Sequence, residues 1–91
     1  ARTSRGLALY GTGKYDRALL DFDNVLKQDP NNANVYSHRG YTNSALQKFD
    51  KAVSDFNESI RLNPKNAAAF SGRGFARYQM KDYDLARKDF D

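Results

Sequence analysis

Shifted by 34 residues, the chain matches itself. Arg5-Gly6, Arg39-Gly40 and Arg73-Gly74 fall in register. So do Tyr15, Phe49 and Tyr83, then Ala18, Ala52 and Ala86, then Asp21-Phe22, Asp55-Phe56 and Asp89-Phe90. Pro30 and Pro64 keep the same spacing, and residues 1–23 share 11 identities in 23 with residues 69–91. A period of this length means that one small unit is stacked on copies of itself, each burying its apolar face against its neighbours. The 91 residues are therefore about 2.7 units of an array, expected to be cut from a longer one, rather than a marginal independent core.

Each unit reads as two helices. Tyr15, Ala18, Leu19, Phe22, Val25 and Leu26 lie on one helical face, and Phe49, Ala52, Val53, Phe56 and Ile60 repeat it. That helix must stop before Pro30 and Pro64, because proline disfavours α geometry in the residue before it. Asn32 and Asn66 then stand where the next helix needs an N-cap. The other helix of each unit has a softer pattern: Val35, Tyr36 and Leu46, then Ala69, Phe70 and Met80. Breaks between the two are predicted at residues 11–13, 46–48 and 80–82. Glycine inside a helix costs about 1 kcal/mol relative to alanine. Gly6, Gly40 and Gly74 therefore imply close packing, with Ala18, Ala52 and Ala86 as the expected small partners.

A 34-residue helical unit with glycine, aromatic, alanine, aromatic and proline in this order resembles the tetratricopeptide repeat. The residues carrying the resemblance are Gly40, Phe49, Ala52, Phe56 and Pro64 in the middle unit. They are Gly6, Tyr15, Ala18, Phe22 and Pro30 in the first, and Gly74, Tyr83, Ala86 and Phe90 in the last. The resemblance implies an all-α fold, a right-handed superhelical stack of antiparallel helix hairpins (an α-solenoid). The units would be 1–32, 33–66 and 67–91, the outer two incomplete. The family's leucine before the glycine is here Arg5, Arg39 and Arg73, each with an aspartate 16 residues on: Asp21, Asp55 and Asp89. A planar guanidinium–carboxylate pair across each hairpin is expected in place of an apolar contact.

Chemistry for catalysis is missing. There is no cysteine, one histidine (His38) and one glutamate (Glu58). Gly11-Thr12-Gly13-Lys14 lacks the spacing and the preceding strand of a phosphate-binding loop and reads as a turn with a solvated lysine. His38 has no ligand-spaced partner and reads as a surface or groove-edge residue. No enzyme, metal or cofactor is expected. No apolar run spans a membrane and no signal peptide opens the chain. The lack of cysteine is compatible with the cytoplasm.

In the resemblance, first helices line a concave groove. Segments 1–14, 33–48 and 67–81 carry +8 and the rest −4, giving the net +4. The implied groove is Leu7 and Tyr10 from the first unit, Ser37, His38, Tyr41 and Ser44 from the second, and Ser71, Phe75 and Tyr78 from the third. It is aromatic, with a weakly positive rim. The expected function is a protein-interaction scaffold holding a peptide or partner helix of acidic-apolar character. Family members that hold acidic chaperone C-terminal tails use lysines and asparagines at places that here are Thr3, Leu7, His38, Ala68 and Gly72, so that mode is expected to be excluded. Nucleic-acid binding is the alternative, permitted by a pI near 9.5 but disfavoured by the small excess and the absence of a basic run. Self-assembly through uncapped repeat ends is the third.

Overall fold

The computed structural model describes residues 14–90. Among these, five helices run in order: α1 (Tyr15–Gln28), α2 (Ala33–Ala45), α3 (Phe49–Leu62), α4 (Ala67–Gln79) and α5 (Tyr83–Phe90). They alternate as expected: α2 and α4 start 34 residues apart, and α1, α3 and α5 keep the same register. The fold is all-helical, a solenoid of helix hairpins.

Local chemistry sets the boundaries. Asn32 and Asn66 cap α2 and α4, their side-chain oxygens accepting from the amides of Val35 (3.2 Å) and Ala69 (3.3 Å). Within each hairpin the turn passes through a left-handed residue that is not glycine, Gln47 at φ 62° and Lys81 at φ 65°. One period earlier the sequence has Gly13, outside the described residues.

Two apolar clusters form the core. Ala18, Phe22, Leu26 and Val35 join α1 to α2. Ala52, Phe56, Ala69 and Ala76 join α3 to α4, with Tyr41, Phe49, Val53 and Ile60 packed around them. The expected glycine–alanine approach is corrected here. A methyl group on Gly40 would lie 2.8 Å from Phe56 Cε1, and one on Gly72 would lie 2.4 Å from Phe56 Cζ. Glycine thus makes room for the fully buried Phe56 ring, not for Ala52. The ring is held from both sides, by α2 of its own hairpin and by α4 of the next.

The expected ion pairs are present where both partners are described. Arg39 grips Asp55 through Nε (3.2 and 3.1 Å) and Nη2 (2.7 Å). Arg73 grips Asp89 in the same way. Arg5, the expected partner of Asp21, lies outside the described residues. Each arginine also does something the sequence reading missed. Arg39 Nη1 reaches back to Asp23 on α1 (2.9 Å), and Arg73 Nη1 reaches back to Asn57 on α3 (2.8 Å). One guanidinium therefore ties a hairpin together and joins it to the preceding one.

Candidate groove on the first helices

Helical spacing places Asn34, His38, Tyr41 and Ala45 on one stripe of α2. The matching stripe of α4 is Ala68, Gly72, Phe75 and Gln79. The two are adjacent, because the Tyr41 hydroxyl donates to the Ala68 carbonyl at 2.6 Å. The Tyr41 ring meets the buried Phe56 edge-on at 5.0 Å, which fixes it against the core while leaving it half-buried.

The residues expected on the groove floor occupy unequal places. Ser71, Phe75 and Tyr78 are exposed, the last two at 46% and 55%. Tyr41 and His38 are half-buried. Ser37 and Ser44 are buried. Leu7 and Tyr10 lie outside the described residues. The Ser37 hydroxyl is 2.6 Å from that of Ser59, and Asn66 Nδ2 donates to both at 3.0 Å. Ser59 in turn donates to the Ala33 carbonyl at 2.8 Å. This knot joins α2, α3 and the cap of α4 beneath the stripes. Ring contacts continue from α4, with Phe75 on Phe49 at 6.5 Å and Tyr78 on Tyr83 at 5.2 Å.

The electrostatics of the stripes are simple. Arg39, Arg73 and Arg77 leave from other sides of α2 and α4 and end on carboxylates of second helices; Arg77 adds a 2.8 Å bond to Asp89 that the sequence reading did not anticipate. The stripes themselves hold no lysine, arginine, aspartate or glutamate. His38 is their only titratable side chain apart from the Tyr41 phenol. Its ring lies 5.8 Å from that of Phe22, and burial lowers its pKa below the ordinary 6.5. No helix of the described residues is long and apolar enough to cross a membrane.

Two family models match the chain, one described as TPR repeat over residues 6–47 and one as Tetratricopeptide repeat over residues 33–66. A solved structure of the first TPR of Spaghetti (RPAP3) bound to HSP90 peptide SRMEEVD is 31% identical, with TM-score 0.95, over 98% of this chain and 71% of that one. The chain belongs to the tetratricopeptide repeat family. The second TPR of Spaghetti, also bound to SRMEEVD, matches with TM-score 0.95 at 29% identity over 98% and 82% of the two chains. The second TPR domain of human RPAP3, in complex with HSP70 peptide SGPTIEEVD, gives 0.92 at 29% over 98% and 74%. No curated protein sequence matches the chain.

These likenesses overturn one expectation. Side chains at five places were expected to exclude the acidic chaperone-tail mode, yet the tetratricopeptide repeats above hold such tails on nearly the same backbone. Two of the five, Thr3 and Leu7, lie outside the described residues. Neutral donors remain on the described stripes, Asn34 and Gln79 among them, so the absence of lysine there does not by itself exclude a carboxylate.

Proposed function

We propose that this tetratricopeptide repeat chain is a protein-interaction scaffold holding an extended acidic-apolar peptide across the stripes of α2 and α4. Acidic C-terminal tails of the HSP90 and HSP70 kind are the first candidates. The observation that carries the reading is the likeness, at 29–31% identity, to domains solved with such peptides bound. In it, Phe75, Tyr78 and Ser71 supply contact from α4 and Tyr41 and His38 from α2. Ser37 and Ser44 brace the floor from beneath. The units are 1–32, 33–66 and 67–91, of a subtype with Arg-Gly in the first helix and Asp-Phe in the second. Tyrosine and phenylalanine suit the task, giving large rigid contact area at low entropic cost.

Calorimetric titration of the 91-residue chain with the peptide SRMEEVD tests the reading. Saturable binding is expected. Phe75→Ala with Tyr78→Ala removes two exposed rings, so the fold should keep its helical circular dichroism while affinity falls about tenfold or more, the usual effect of truncating aromatic anchors. Full affinity in the folded double variant would remove the aromatic floor. No binding by the unaltered chain would remove the acidic-tail reading.

A further inference from the structure

We propose that the face of α4 and α5 lying away from α2 and α3 is a docking surface for a second copy of this chain, which presents its first-unit segment, residues 1–13, to it. Copies then stack head to tail, each continuing the repeat of the one before. Peptide binding plays no part in this contact.

The internal joint shows what such a face accepts. α4 settles on α2 and α3: the Phe75 ring meets Phe49 at 6.5 Å, and the Tyr41 hydroxyl donates to the Ala68 carbonyl at 2.6 Å. Tyr41 and Phe49 are half-buried there. One period on, Phe75 and Tyr83 hold their places and are 46% and 52% exposed. Five of the six exposed large apolar side chains among the described residues fall between Phe75 and Leu85. Apolar exposure gathered in one place marks an interface, where single scattered residues do not.

The occupant follows from what makes α4 fit. Ala69 and Ala76 are buried beside Phe56, and Gly72 leaves room for its ring. α2 is bulkier at the same register, with Val35, His38 and Thr42. Residues 1–13 lie outside the described residues, and their fit is one of sequence register. They follow α4 rather than α2, with Ala1, Ser4 and Ala8 at these three places and Leu7 at that of Phe75. Phe22 accommodates His38 and Phe56 accommodates Gly72, so a serine lies within the range that such a joint tolerates.

Charge agrees with shape. Each described first-helix arginine reaches back one hairpin, Arg39 Nη1 to Asp23 at 2.9 Å and Arg73 Nη1 to Asn57 at 2.8 Å. Asp23, Asn57 and Asp91 share one register, as do Arg5, Arg39 and Arg73. Between copies the same step pairs Arg5 with Asp91, opposite charges like Arg39 and Asp23. Two α4–α5 faces joined about a two-fold axis would use neither the small residues nor this charge match. The contact is therefore heterologous.

Sedimentation equilibrium of the 91-residue chain, from about 10 μM to about 1 mM, is the test. One helix on a two-helix face is smaller than a standard interface, so association is expected toward the upper end. A head-to-tail contact does not close on itself, so the average mass should climb past twice 10.3 kDa without a plateau. Tyr83→Glu spoils one surface and Ser4→Glu the other, and each variant alone should stay at the mass of one chain. Mixed one to one, they should form a heterodimer and nothing larger, because each keeps one intact surface. A chain that is monomeric at about 1 mM, a plateau at twice the chain mass, or a mixture no heavier than its components overturns the inference. Where a variant loses its helical circular dichroism, the concentration dependence of the unaltered chain decides between an open stack and a closed dimer.

Discussion

At the scale of the residue, Phe56 is the most constrained side chain of the second core cluster. Its ring is fully buried and touched by two glycine positions on two helices. Gly→Ala in a helix ordinarily gains about 1 kcal/mol from propensity. Here the added methyl meets a ring that has no free side to move toward. A contact of 2.4 Å at Gly72 is tighter than 2.8 Å at Gly40, so the order of damage follows. Gly72→Ala should destabilise by about 1–3 kcal/mol net, the cost of an overpacked core, and Gly40→Ala by less. Urea unfolding measures both. Combining Gly72→Ala with Phe56→Leu should recover part of the loss, because the two changes share one space. Additive losses would mean that the ring is not what each glycine accommodates.

At the scale of the element, the helices were legible and their joints were not. Apolar spacing, the two prolines and the two capping asparagines mark α1 to α4 on the sequence, and the structure starts α2 and α4 on those caps. The 16-residue interval exposed the Arg39–Asp55 and Arg73–Asp89 pairs. What it could not show is the Nη1 hydrogen bond of each guanidinium, because Asp23 and Asn57 differ in charge and do not stand out as a repeat. The consequence is testable. Asp55 is buried, and its partners are Arg39 and Asn43. Arg39→Ala should cost about 2–3 kcal/mol, mostly from a buried carboxylate left with one neutral donor. Arg39→Leu with Asp55→Leu should cost less than the single change, since an apolar pair can replace a buried ion pair. Chemical denaturation of the three proteins decides, and a double variant less stable than Arg39→Ala would show that the link to Asp23 matters more than the pair.

At the scale of the whole molecule, equal letters in a repeat do not have equal surroundings. Ser37 and Ser71 occupy the same register, yet Ser37 is enclosed by Ser59 and the cap of α4 while Ser71 is exposed. The groove was therefore legible as a set of stripes but not as a set of exposed side chains. His38 and Gly72 also share a register, and both meet the preceding unit's phenylalanine, one through a tilted ring contact and one by leaving room. This gives the α1–α2 joint a titrating imidazole that the α3–α4 joint lacks. Burial holds the His38 imidazole below its unfolded value of 6.5, so the unfolded chain binds the proton more readily. The stability from a neutral His38 is complete above pH 6.5 and is lost as pH falls through that value toward the lowered one. Carboxylates add their own acid sensitivity, so the comparison must be with His38→Gln, which keeps them all. Between pH 7.5 and 5.5, without peptide, the wild type should lose more thermal stability than the variant. Equal losses would place the imidazole in water in the folded chain, free of the Phe22 contact.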